Sequence, residues 1–138
     1  MGCSHTTLQH THALLWLVSG DTTLGNLAKD KCNSELQVES LTISAISWWE
    51  IEMLAVKGRI SLSQSTDSLR DHLANAGLVE IPVDGKIGIS AAALPNFHGD
   101  LADRIITATA LAKGALLITA DRKILTWEGA CQCHDARQ

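Results

Sequence analysis

Short apolar runs alternate with longer stretches of helical period along the 138 residues of the chain. Leu41 to Ile46 (LTISAI) alternates apolar and polar positions, as a strand does. Leu78 to Val83 predicts a second strand, and the unbroken run Ala115 to Ile118 (ALLI) predicts a third, buried on both faces. Thr6 to Gln9 and Ala130 to Cys133 are weaker strand candidates. Between these runs lie helical patterns at Ala13–Ser19, Trp48–Lys57 (stopped by Gly58), Asp67–Ala76 (stopped by Gly77) and Lys86–Leu94 (with Pro95 beyond). The longest runs from Leu101 to Lys113, with Ile105, Ile106, Thr109 and Ala112 on one side and Gly114 as terminator, and a short turn is expected at Arg122–Leu125. Strands separated by helices pair in parallel through right-handed crossovers. The pattern therefore predicts one domain over residues 1–138, a three-layer α/β/α fold on a parallel sheet of about five strands. The first strand is atypical: CSHTTLQH is polar where a central parallel strand is usually rich in Val, Ile and Leu.

In such sheets chemistry gathers at the carboxyl ends of the strands. Carboxylates follow several of the predicted strands. Ser47-Trp48-Trp49-Glu50 follows the LTISAI strand, Asp100-Leu101-Ala102-Asp103-Arg104 follows the loop PNFHGD, and Thr119-Ala120-Asp121-Arg122 follows the ALLI strand. Each has a structural explanation. Ser47-x-x-Glu50 has the spacing of a capping box, Asp100 and Asp121 are natural N-caps, and Asp103 suits the positive end of a helix dipole. Several acids at one sheet edge also form a cation site, because carboxylates packed together repel one another and raise each other's pKa unless a metal neutralises them. Mg²⁺ or Mn²⁺ takes oxygen ligands, and a bound metal can activate water for phosphodiester hydrolysis.

Composition narrows the field. With 46% apolar and 19% charged residues the chain has the make-up of an ordinary globular protein, and its net charge of −4 shows no basic stripe of the usual nucleic-acid-binding kind. Arg104, Arg122 and Lys123 nevertheless sit beside the acids, where either arginine would neutralise a phosphate or pair with its neighbouring aspartate. No apolar run approaches the ~20 residues of a membrane span, and MGCSHTTLQH lacks the features of a signal peptide, so a cytoplasmic location is expected. The cysteines Cys3, Cys32, Cys131 and Cys133 show no zinc spacing; Cys131, Cys133 and His134 read as an edge strand with incidental cysteines before they read as a metal site. Neither G-x-x-x-x-G-K-[ST] nor G-x-G-x-x-G occurs, which ranks a nucleotide-binding or receiver-like domain last.

Five strings bear a family likeness: THALLW (Thr11–Trp16), S-x-W-E (Ser47–Glu50), KGRI (Lys57–Ile60), L-P-x-F-H-G-D-x-A-D-R-I-I-x-A-T-A (Leu94–Ala110) and TADRKI (Thr119–Ile124). From about Leu8 to Gly129 the chain resembles the PIN-domain ribonucleases of the VapC toxin type. That resemblance implies a cytoplasmic endoribonuclease dependent on Mg²⁺ or Mn²⁺, usually dimeric and silenced by a cognate antitoxin. It puts Glu50, Asp103 and Asp121 on three positions of an acidic quartet, with Asp100 at an additional acidic position. The fourth position, at the end of strand one, is His10 instead of aspartate. Imidazole binds Mn²⁺, Ni²⁺ or Zn²⁺ but is a poor Mg²⁺ ligand. His12 is expected to pack or cap, His98 lies in the loop before Asp100, and the Thr11 hydroxyl would orient a metal-bound water. Trp16, Trp48 and Trp49 are read as core or dimer interface before base-stacking platforms. Two functions follow: a metal-dependent endoribonuclease weakened by His10, or a PIN domain retained as an antitoxin- or RNA-binding module. The apolar stretches Leu14–Val18 and Trp48–Leu54 would suit an amphipathic antitoxin helix.

Overall fold

The computed structural model describes residues 6–138; Cys3 lies outside them. Its strands are β1 (Thr7–Gln9), β2 (Leu41–Ser44), β3 (Val79–Ile81), β4 (Leu116–Thr119) and β5 (Cys133–Asp135). The helices are α1 (Thr11–Ser19), α2 (Asn26–Gln37), α3 (Ala45–Val56), α4 (Thr66–Ala76), α5 (Gly85–Ala92), α6 (Leu101–Lys113) and α7 (Arg122–Leu125). All strand pairs are parallel, in the order β3-β2-β1-β4-β5. The chain steps outward from β1 to β3, then returns to lay β4 on the other side of β1. That reversal is a topological switch point, and it opens a crevice beyond the carboxyl ends of β1 and β4.

Side chains alternate across the sheet and feed two apolar layers. Leu41, Ile43 and Ile118 join Ala13 and Leu14 of α1, Ala28 and Cys32 of α2, Trp48 and Ile51 of α3 and Leu69 of α4. Leu8, Ile81 and Leu117 face the other way, onto Ile87 and Ala91 of α5 and Ile105 and Ile106 of α6. The α/β/α expectation holds. Several details differ from it. Strand β2 stops at Ser44, whose hydroxyl accepts the Ile46 amide as N-cap of α3. The Ser47–Glu50 capping box therefore does not form: Ser47 lies inside α3, fully buried. Strand β5 lies further along than Ala130–Cys133, because Cys133 to Asp135 pair with Leu117 to Thr119. Helix α6 is buried nearly all round from Ile105 to Ala110, while Ala112 is exposed.

Helix α2 has no counterpart in the apolar pattern. NLAKDKCNSELQ buries only Ala28 and Cys32, four apart, so its periodicity is too faint to read. This helix also accounts for the polar first strand. β1 is central, and Thr7 and Gln9 are fully buried. Thr7 Oγ1 donates to Glu35 Oε1 (2.9 Å) and Gln9 Nε2 to Cys32 Sγ (2.7 Å), so α2 supplies partners for the polar side of the strand. The match is incomplete, because Gln9 Oε1 has no partner among the described residues. Gln9→Leu keeps the volume and removes a buried polar group with a weak partner. It should raise stability by about 1 kcal/mol, read as a higher urea midpoint with unchanged slope; a lower midpoint would show that the amide is stabilising.

The carboxyl end of the chain docks on the start of α2, where Gly25 N–H donates to Ala136 O (2.8 Å) and Leu27 N–H to Gln138 O (3.0 Å). A Cβ on Gly25 would fall 2.2 Å from the Gln138 backbone, so only glycine admits this contact. No helix among the described residues is long and apolar enough to cross a membrane.

Candidate active site

His10 follows β1 directly and is the N-cap position of α1, yet its side chain makes no cap hydrogen bond. The imidazole turns instead into the crevice, where it is 4% exposed. Nε2 lies 2.9 Å from Asp103 Oδ1, and Nδ1 lies 2.7 Å from Thr119 Oγ1. A carboxylate only accepts, so Nε2 carries the proton. Thr119 Oγ1 accepts the Asp121 amide (3.0 Å) and has its own proton to give to Nδ1. The network thus links the ends of β1 and β4 to the first turn of α6.

Asp103 is held by two further contacts. Asp100 caps α6 by accepting the Asp103 amide (2.9 Å), and the Asp103 carboxylate accepts the Asp100 amide, completing a capping box. Burial works against the Asp103 carboxylate, but the hydrogen bond and charge of His10, with the cap contacts of Asp100, outweigh it and hold its pKa below the usual range. Gly99 makes room for this turn: a Cβ there would meet the Phe97 ring and Asp103 Cβ at 2.4 and 2.7 Å.

Glu50, two turns into α3, receives the Thr11 hydroxyl, and Thr11 Oγ1 is also hydrogen-bonded to Ser47 Oγ (2.8 Å). Burial pushes the Glu50 pKa up, the charges of Asp103 and Asp100 add to the rise, and Thr11 and His10 oppose it. Ser47 therefore orients Thr11, and Thr11 orients Glu50. Asp121 behaves differently. Its carboxylate accepts the Lys123 amide (2.8 Å) as N-cap of α7, and its link to the other acids runs through its own amide and Thr119. The structure thus joins His10, Asp103 and Asp100 by hydrogen bonds, sets Glu50 near enough to feel their charges, and leaves the Asp121 side chain facing its own helix.

Sequence reasoning missed Thr119, whose signal was its place one residue before the ADR string, and it underrated His12. The His12 Nε2 accepts the Ala120 amide (2.8 Å) while Arg137 donates to Ala120 O (2.9 Å), so both backbone groups of the residue before Asp121 are held. His12 also packs between His10, edge-on, and Trp16, tilted, with ring centroids 4.4 and 5.0 Å away. Burial, then the charges of His10 and Arg137, lower its pKa from 6.5 to about 4. Since the folded pKa is depressed, the unfolded chain binds the proton first. Stability from this group is present above pH 6.5 and is lost as pH falls toward about 4. The loss should reach about 3 kcal/mol, and it should be much smaller in His12→Asn, as urea midpoints across that range would show; parallel profiles for both proteins would reject it.

The basic residues sort themselves. Arg104 spends its guanidinium on Ala91 O (3.1 Å) and Phe97 O (2.8 Å), so it neither pairs with Asp103 nor points free toward a phosphate. Arg122 and Lys123 are exposed. Lys123 lines a groove of about 520 Å³ with Asn96, His98 and Trp127. Trp48 is core, whereas Trp49 is 49% exposed. Cys131 Sγ and Cys133 Sγ lie 3.6 Å apart, but His134 alternates to the opposite face of the strand, and no group of three metal-liganding side chains converges among the described residues.

The acidic edge is no exception. A divalent cation at Asp103 would compete with the donors its carboxylate already holds, the His10 N–H on Oδ1 and the Asp100 amide on Oδ2. In this arrangement the residues do not fit Mg²⁺ or Mn²⁺ without displacing His10.

The fold and this edge define a parallel α/β/α domain with acids gathered at its switch point. The chain belongs to the PIN-domain family, whose model matches residues 10–126. It is similar to Ribonuclease VapC22 of Mycobacterium tuberculosis (strain ATCC 25618 / H37Rv), with 32% identity over 124 residues, covering 86% of this chain and 89% of that protein. Among solved structures it resembles a toxin–antitoxin complex from Klebsiella pneumoniae (24% identity, TM-score 0.64, covering 95% of this chain and 98% of the other). It also resembles DNA-bound VapBC from Salmonella typhimurium (15%, TM-score 0.69, 95% and 98%). VapBC2 from Rickettsia felis bound to a promoter DNA fragment shares the fold as well (14%, TM-score 0.70, 94% and 97%).

Proposed function

We propose that this protein is the toxin-side ribonuclease of a toxin–antitoxin pair, with a turnover limited by His10. The observation that carries the reading is the Asp100–Asp103 pair at the switch point of a PIN fold, with Glu50 near enough to feel both charges. The substrate is RNA, and its scissile phosphate lies against this edge. Glu50, with its raised pKa and its carboxylate steered by Thr11, takes the proton of the attacking water. Were His10 to leave Asp103, a Mg²⁺ or Mn²⁺ ion held at that carboxylate would supply the charge that draws the phosphate in. Without that charge the acids repel a phosphate, which is why slow cleavage is expected. Lys123 and Trp127, in their groove beside the α5–α6 loop, offer a cation and a ring for the flanking nucleotides.

The antitoxin partner is supported by the relatives and by a groove of about 550 Å³ that includes Trp48, Ala55, Ile60 and Leu62. The exposed Trp49 and Val56, seven apart on α3, suit a homodimer contact. The protein would work in the cytoplasm. The test is an RNA cleavage assay with Mg²⁺ or Mn²⁺: slow cutting by the wild type, none by Asp103→Asn. Full activity in EDTA would overturn the metal requirement, and equal activity of Asp103→Asn would overturn the site.

His10 also supports a second reading, a binding module that engages antitoxin and RNA without cutting. Antitoxin binding with no cleavage by the wild type, and cleavage created by His10→Asp, would favour it; equal rates for the two proteins would reject His10 as the defect.

A further inference from the structure

We infer that the His10 side chain takes the place of a divalent cation in organising this acidic edge, so that the edge assembles without metal. The inference rests on reading the edge as the acidic site of the fold. A cation in such a site does two things: it offsets carboxylate charge, and it ties together elements that carry the ligands. His10 does both by directed hydrogen bonds. Nε2–H reaches Asp103 on α6 at 2.9 Å, and Nδ1 reaches Thr119 at the end of β4 at 2.7 Å. The ring itself belongs to the residue after β1, so one side chain joins three separate elements. Itself 4% exposed, the ring occupies with its N–H a lone pair of Asp103 Oδ1 that a cation would otherwise use. The chain of bonds continues through Thr119 to the Asp121 amide, which places the α7 cap in the same assembly. Among the described residues, meanwhile, no three liganding side chains stand ready for a metal. The substitution of imidazole for carboxylate therefore exchanges a metal-held edge for one held by the chain's own hydrogen bonds.

The consequence is measurable without any catalytic readout. The wild-type chain should melt at the same temperature in EDTA, MgCl2 and MnCl2, since no cation bridges its elements. His10→Asp puts like charges side by side, so it should melt lower in EDTA and gain roughly 5 °C or more on addition of MnCl2. A wild-type melting temperature that climbs with Mn²⁺ would overturn the inference, as would a His10→Asp variant indifferent to metal. If His10→Asp does not fold, nitrogen NMR of the wild type decides. A proton on Nε2, with no paramagnetic broadening at His10 in Mn²⁺, is the expected result; selective broadening there refutes it. RNA cleavage and antitoxin binding do not enter these readouts, so the ribonuclease reading can fail while this one stands, and the reverse.

Discussion

His10→Asp should speed Mn²⁺-dependent RNA cleavage roughly 10- to 100-fold over the wild-type chain. In the wild type a cation can reach Asp103 only by breaking the Nε2–H···Oδ1 bond at 2.9 Å. A buried hydrogen bond to a charged group contributes about 1.5–3 kcal/mol, and each 1.4 kcal/mol is a factor of ten in affinity. The substitution removes that competitor and adds a negative donor where the family resemblance expects one. It also releases Thr119, so part of the gain is offset by looser anchoring of the Asp121 turn. Single-turnover cleavage at saturating RNA measures the ratio. Equal rates for the two proteins would show that His10 does not limit the reaction.

Ile106→Ala should lower stability by about 2–5 kcal/mol and carry the acidic edge with it. Ile106 is fully buried between α6 and the sheet, three residues beyond Asp103 and hence on the same face of the helix. Truncation opens a cavity beneath the turn that holds Asp103 and Asp100, in a helix wrapped by α5, α3 and the sheet, with little freedom to collapse. Urea denaturation gives the loss directly. A loss under 1 kcal/mol would mean that the layer repacks, contrary to the close fit of Ile105, Ile106 and Ala110. Cleavage should fall in parallel at temperatures where the variant remains folded, because the Asp100–Asp103 capping box is built on this turn.

Much of this architecture is legible in the amino-acid sequence, because its signals are local. The alternation in Leu41–Ser44 and the apolar run that opens Leu116–Thr119 both mark strands. Gly77 and Gly114 end helices in left-handed conformations that favour glycine. Asp100 and Asp121 cap the helices that follow them, as their position before helical runs implies. Short-range rules decide each of these. Other features depend on residues far apart in the chain and carry no local mark. Helix α2 is polar on most of its surface and is defined by what it covers, since Cys32 and Glu35 meet Gln9 and Thr7 across 23 and 28 residues. Helix α3 starts earlier than its apolar period suggests because Ser44 caps it, which frees Ser47 to hold Thr11. Arg104, adjacent to Asp103 in the chain, turns to the carbonyls of Ala91 and Phe97 because the α5–α6 loop brings both within reach.

By itself, then, the sequence determined the layers, the parallel sheet, most helix ends and the identity of the acids, since period, capping and composition act over a few residues. Only the tertiary structure decided which of those acids meet. The reversal of strand order puts β4 beside β1, so His10, 93 residues from Asp103 and 109 from Thr119, comes to bond both. A hydrogen bond needs a particular distance and direction, and those are properties of packed elements. The same rule separated Asp121, turned into its own helix cap, from Glu50, steered inward by Thr11.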